Sequence, residues 1–304
     1  MHHLRRALLW IITAPFRLIF WLISLPFRFL GWLISPIFDR FKKNSISRFM
    51  DEVPEDRPAA DAIVDAFENP MQIMEELEQA RKHLLRALLV VAVAVVASFF
   101  FTDQLIAFLA MPNGGLQTLQ AIQPTETVGV FMRVAVLAGL ALATPYIAFE
   151  IWLFAAPGLM PNERRISLWA IPLAGIFFLG GMAFTYFLLL PVSLNILSNG
   201  FLAQVDTNWT VGSYTEFVAD LMFWIGIAFE FPLVAYALAR VGLIDPAALL
   251  KQWRLAMVLI AIIAAAVTPT TDPGTMGLTM LPMVVLYFLG ILFSYMAKPK
   301  AVES

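Results

Sequence analysis

Six stretches of this chain are apolar almost without interruption, at roughly 87–109, 129–153, 168–192, 215–239, 254–268 and 276–296. An α-helix needs about 20 such residues to cross the hydrocarbon core of a bilayer, and it satisfies every backbone hydrogen bond within itself while doing so. The fifth stretch is short, at about 15 residues, and the sixth begins directly after a Pro/Gly turn. All six are too long and too continuous for the alternating strands of an outer-membrane barrel. Composition agrees: 60% of the 304 residues are hydrophobic and only 14% are charged, against roughly a quarter charged in an ordinary soluble domain. A water-soluble fold of this size could not hide so much apolar surface. The expected fold is therefore all-α, a polytopic membrane protein with six transmembrane helices.

Lys and Arg near the ends of the stretches set the orientation. Arg81, Lys82 and Arg86 precede the first, Arg164 and Arg165 lie between the second and third, Arg240, Lys251 and Arg254 between the fourth and fifth, and Lys298 and Lys300 after the sixth. Arg133 alone lies toward the other side. The bias predicts cytoplasmic amino and carboxyl termini and a place in the cytoplasmic (inner) membrane, and an even number of spans fits. No cleavable signal peptide is expected. The apolar start at 7–38 is too long, carries Arg17 and Arg28, and lacks a small-residue cleavage site.

Several functional classes are disfavoured by the residues themselves. Zero Cys rules out disulfides, thiolate metal sites and cysteine nucleophiles. His2, His3 and His83 show no metal-ligand spacing, so no metal is expected. No phosphate-cradling glycine loop or nucleophile elbow is present, and no cofactor is expected. A net charge of −2 gives no overall basic field for nucleic acid.

The chain divides by composition into an extension at 1–50, an acidic linker and helix at 51–83, the six-helix region at 84–297 and a tail at 298–304. The extension repeats with a period of 11: RALLWIITAPF, RLIFWLISLPF, RFLGWLISPIF. Arg6, Arg17 and Arg28 share a narrow polar stripe with Thr13, Ser24 and Ser35. This fits a helix kinked at Pro15 and Pro26 and lying in the lipid interface, with Trp and Arg at headgroup level. One or two additional spans with snorkelling arginines is the alternative. The linker carries ten acids from Asp51 to Glu78 against Arg57 alone. It reads either as a solvated linker or as an acidic surface that attracts a basic ligand.

Segment 124–165 narrows the reading: PTETVGVFMRVAVLAGLALATPYIAFEIWLFAAPGLMPNERR. Its Pro124-Thr125-Glu126, Arg133, Pro145, Trp152, Phe154, Pro157-Gly158-Leu159 and Glu163-Arg164-Arg165 resemble the TatC family, the multi-span receptor subunit of the twin-arginine protein translocase. The resemblance continues through Gly181, Phe184, Tyr186 and Pro191 in the third span, and through Gly226, Phe229, Glu230 and Pro232 in the fourth. The turn TPTTDPGTMGLTMLP before the sixth is similar too. It covers roughly residues 74–297. It implies a concave, glove-like arrangement of the helices and a receptor, not an enzyme. Such proteins bind twin-arginine signal peptides at the cytoplasmic face. They assemble with single-span TatA/TatB-type partners into oligomeric complexes that export folded proteins, driven by the proton-motive force. Three positions depart from the family. Before the first span, Glu76-Leu77-Glu78-Gln79-Ala80-Arg81 replaces His-Leu-x-Glu-Leu-Arg; Glu150 stands for the usual Gln in the second span; and Met276 stands for a Gln after the last turn.

With that resemblance, the expected signal-peptide site comprises Glu163, Arg164, Arg165, Glu78, Gln79, Arg81 and Phe154. A carboxylate can receive a guanidinium in bidentate fashion, although an exposed loop ion pair would be worth little. Glu230 lies ten residues before Arg240, hence about 15 Å inside a helical span, where ionisable groups seldom face lipid. It reads as lining a wet concave face used by partner helices, or as protonated or paired with Arg133, a Lys or backbone in a helix interface. Thr268, Asp272 and Met276 form the other partner-binding candidates, with a turn or cap as the simpler role for the first two. Pro112, Pro124, Glu126, Pro145, Pro157, Tyr186 and Pro232 are structural candidates. A six-span transporter of small solutes is the alternative from another class. It would need repeats and broken helices meeting at midplane charges, and no repeat relates 87–192 to 215–296. An intramembrane enzyme lacks a second acid, a serine–histidine pair or a metal cluster to support it.

Overall fold

The computed structural model describes residues 70–159, 161–199, 209–240, 242–268 and 273–297. The chain divides into two units, Met1–Val53 and Pro54–Ser304, and every described residue belongs to the second. The repeat at 6–38, most of the acidic linker, Asp272 and the tail lie outside the described residues.

The described part is helical. α1 (Pro70–Ser98) and α2 (Thr102–Ala110) are followed by α3 (Pro124–Ala155), a short α4 (Pro161–Ser167) and α5 (Ala170–Phe184). A π-helical turn at Thr185–Leu189 leads into α6 (Leu190–Asn199). Then come α7 (Val211–Arg240), α8 (Pro246–Lys251), α9 (Trp253–Val267) and α10 (Pro273–Ala297). Four helical stretches are long and apolar enough to cross a membrane: α3, Ala170–Leu197, α7 and α10. The sequence-expected spans at 129–153, 168–192, 215–239 and 276–296 coincide with them.

The first expected span differs. Instead of running unbroken over 87–109, the chain bends by 77° between Leu77–Ser98 and Thr102–Asn113. Around the bend Phe99, Phe100 and Phe101 donate to carbonyls only three residues back. The buried hydroxyls of Ser98 and Thr102 each donate to a carbonyl four residues back, at 2.8 Å. Ser and Thr that bond back in this way bend helices. The fifth expected span is α9, with 15 residues.

α7 is the centre of the fold, packing against α10, α5 and α3. Its Tyr214, Phe217, Leu221 and Ile225 are fully buried. Glycines set the closest approaches. A Cβ on Gly139 of α3 would meet the Val95 backbone of α1 at 2.7 Å, and one on Gly181 of α5 would meet Gly226 Cα of α7 at 2.9 Å. Pro145 receives Gly175 in the same manner, at 2.8 Å from a Cβ there. Pro232 is buried within α7. The π turn ends two residues before Pro191, whose missing N–H and bulky ring would disrupt an ordinary α turn.

The end bearing residues 111–123 is closed by hydrogen bonds to the main chain. The last carbonyls of a helix have no partner inside it. In α2, Phe108 O accepts from the Tyr186 hydroxyl and Leu109 O from the Tyr214 hydroxyl, each at 2.8 Å. Pro112 sits in a 3-10 turn, Pro124 occupies the first turn of α3, and Glu126 Oε2 accepts from Ile122 N at 3.3 Å. Gln120 and Thr210 form a lone parallel bridge.

Candidate functional site

At the opposite, basic end, α1 and α3 run antiparallel and meet through three side chains. Glu150 is 3% exposed. Its Oε1 accepts from the Tyr146 hydroxyl, one turn earlier on α3, at 2.6 Å. Its Oε2 lies 2.6 Å from Nδ1 of His83 on α1, in donor position. The imidazole also meets the Phe154 ring edge-on, with centroids 6.2 Å apart. A buried carboxylate costs several kcal/mol unless it is paired and hydrogen-bonded, and both of its oxygens are satisfied here.

This contact fixes where the expected peptide-binding residues fall. Gln79 is one turn before His83 on α1, so the exposed Glu78, Gln79 and Arg81 lie beside the end of α3. Glu78 pairs with Lys82 at 3.0 Å, both well exposed, an interaction of small energetic weight. Phe154 is half exposed. Beyond it, α3 runs into a 3-10 turn at Ala156–Gly158 containing Pro157, and then α4 carries Glu163, Arg164 and Arg165.

Arg164 and Arg165 are placed differently. Arg165 is exposed, whereas Arg164 is 3% exposed. Its guanidinium turns back to the end of α3, with Nε donating to Ala156 O at 2.6 Å and Nη2 to Pro157 O at 3.3 Å. A second link closes the same loop. Trp152 Nε1 donates to Ser167 Oγ at 2.7 Å, and Ser167 Oγ donates to Arg164 O at 3.1 Å. The loop is thus folded onto the helix end through its own side chains, and Glu163 is carried on α4 directly before Arg164.

The second group of candidates is spread over α7, α9 and α10. Glu230 is partly buried on α7. Its carboxyl lies close to the Phe178 backbone of α5, and Oε1 is buried without a donor among the described residues. Arg133 does not pair with it. Arg133 Nη1 lies 2.8 Å from Glu216 Oε1, and Asp220 is close enough to feel both charges. Thr268 is buried at the end of α9 and donates to Ala264 O at 2.8 Å, while Met276 is partly buried in the first turns of α10. Among the described residues no cluster of three or more His, Asp or Glu could hold a metal.

Sequence reasoning did not anticipate the His83–Glu150–Tyr146 cluster or the Arg133–Glu216 pair. A signal for the first was present. Tyr146 and Glu150 are four residues apart on an otherwise uncharged stretch, and an acid inside a span needs a partner. The identity of that partner, 67 positions away, is a property of packing.

Comparison with known proteins identifies the arrangement. Residues 75–282 match the family model of the Sec-independent protein translocase protein (TatC). The TatC proteins of Koribacter versatilis and Deinococcus radiodurans are 31% and 35% identical, over 76% and 73% of this chain and 87% and 85% of their own lengths. A chloroplastic TATC from Arabidopsis thaliana is 35% identical over 72% of this chain and 65% of its own. A crystal structure described as the twin arginine translocase receptor TatC superimposes with a TM-score of 0.66 at 28% identity, covering 73% of this chain and 99% of that one. On the strength of a match through most of its length, in sequence and in fold, this chain belongs to the TatC family of Sec-independent protein translocase components and is a multi-pass membrane protein.

Proposed function

We propose that the chain is the receptor of a twin-arginine translocase, which binds twin-arginine signal peptides at the cytoplasmic face and assembles with single-span TatA/TatB-type proteins to export folded cargo. The observation that carries this reading is the convergence at the basic end. The exposed α1 segment with Glu78 and Gln79 lies beside the end of α3 with its half-exposed Phe154, next to the loop bearing Glu163. An arginine donates bidentate hydrogen bonds to carboxylates and stacks on aromatic ring faces, and this end of the molecule carries both residue types. In this reading the basic end faces the cytoplasm, six helices cross the inner membrane with α9 and the bent α1–α2 pair completing the set, and both termini are cytoplasmic. The extension at 1–50 lies along the lipid, the acidic segment at 51–83 leads toward the peptide site, and 84–297 forms the membrane domain. Glu230, with Thr268, Asp272 and Met276, serves partner helices, and the proton-motive force drives transport without bound cofactor. The small-solute carrier alternative is not favoured, because the relatives named above are protein translocase components.

The test is direct binding. Purified protein should hold a twin-arginine peptide and discriminate against its twin-lysine version, and Glu163→Ala should abolish binding with helicity unchanged. Equal binding of both peptides, or full binding by Glu163→Ala, would show the site assignment to be wrong.

A further inference from the structure

Two contacts fix how α1 lies on α3. One is the glycine contact of Gly139 on Val95, and the other is His83 on Glu150. Along both helices they are separated by about 17–18 Å, so together they define one antiparallel register. The glycine contact is non-directional packing. The His83 contact is a directional, hydrogen-bonded pin at the point where α1 leaves the helix bundle. No equivalent pin holds the outer part of α1 among the described residues: Leu77, Glu78, Gln79, Arg81, Lys82, Leu84 and Leu85 are all exposed.

We propose that His83, Glu150 and Tyr146 are positioning residues whose proton-dependent pairing holds the exposed segment 77–82 of α1 beside the 156–167 loop. This rests on the reading of that end as the peptide site. With His83 protonated, imidazolium and carboxylate neutralise each other in an apolar interface. With His83 neutral, a buried negative charge remains on the donors of Tyr146 and a neutral ring, a weaker arrangement. Of the two groups in the contact, the imidazole is the one that gains a positive charge on taking up a proton.

The other ionisable groups around the pin are occupied elsewhere or are permanently charged. On α1, Lys82 is turned to Glu78, and Arg86 lies near enough to Tyr146 to act on it electrostatically. On α4, Arg164 is bonded to Ala156 and Pro157, with Glu163 and Arg165 beside it in sequence. α5 has no ionisable residue. On α7, Glu216 and Asp220 lie with Arg133, Glu230 with Phe178, and Arg240 with Ala297 O.

The native chain has no Cys, so spin labels can be placed at two exposed positions, Leu77→Cys and Ile151→Cys, in the full-length protein in lipid nanodiscs. The parent should give a narrow distance distribution at the acid end of its stable pH range that broadens at the alkaline end. His83→Leu and Glu150→Leu should be broad at both. Glu150→Gln, whose amide oxygen still accepts a hydrogen bond, should stay folded and lose the pH response. A parent distribution that ignores pH, or a Glu150→Gln variant that responds as the parent does, overturns the proposal even if the leucine variants fail to fold. A twin-arginine peptide should bind the parent about tenfold tighter than Glu150→Leu, because an ordered site loses less entropy on binding. If the peptide does not bind the parent at all, the receptor reading fails, while the distances still decide on the pin.

Discussion

A guanidinium bonded to two carbonyls at a helix end is committed to its own chain, and Arg164 is in that position, whereas its neighbour Arg165 is exposed. Arg164→Ala would leave Ala156 O and Pro157 O without these donors, at a cost of about 2 kcal/mol. A lower melting temperature and faster protease nicking within 156–168 are expected. At Glu230 the amide of Glu230→Gln retains most hydrogen bonding and should preserve folding. Glu230→Leu should alter partner association or export, read by complex purification and by an export assay; unchanged export would make the carboxyl a passive feature. The place of Glu230 within a helix that ends at Arg240 was legible from the sequence. Its neighbour was not, because Arg133 lies opposite Glu216, and which acid of α7 an arginine on α3 reaches depends on the rotation of two packed helices. That Arg164 is buried and Arg165 exposed was not legible, since adjacent residues on a short helix differ by about 100° in direction.

Helices pack where the chain omits side chains. Gly139 has the Val95 backbone 2.7 Å from where its Cβ would be, while Gly129, ten residues earlier on α3, has nothing within 4 Å. Gly139→Leu should therefore push α1 from α3 and lower thermal stability in detergent, whereas Gly129→Leu should be tolerated. Equal effects would mean that the glycine does not set the approach. Tyr214→Phe removes one hydroxyl from a buried carbonyl of α2, and a loss of about 1–2 kcal/mol is expected in the melting temperature. Four of the elements were readable from apolar length alone, because a spanning helix is a one-dimensional pattern. The bend at 98–102 was not, since Ser98 and Thr102 are ordinary small residues in a hydrophobic run and their effect comes from the carbonyls they take.

For the molecule as a whole, orientation is the largest inference drawn from charge alone, and the Cys-free sequence makes it easy to test. Single cysteines at Arg17 and Arg28 should react with impermeant maleimide from the cytoplasmic side only, and one at Thr118 from the opposite side only. Labelling of position 17 or 28 from outside would mean that the amino-terminal extension spans.

The fifteen residues of α9 have a further consequence. At 1.5 Å per residue the helix is about 22 Å long, against a hydrocarbon core of about 30 Å. In the six-span reading α9 crosses the bilayer, lipid beside it must shorten to meet it, and a dimple runs along that flank. Short-chain lipids relieve that compression and should gather there. Melting temperature in nanodiscs should accordingly rise as acyl chains shorten toward the length of α9, which makes the thickness of the surrounding membrane part of what holds this fold together.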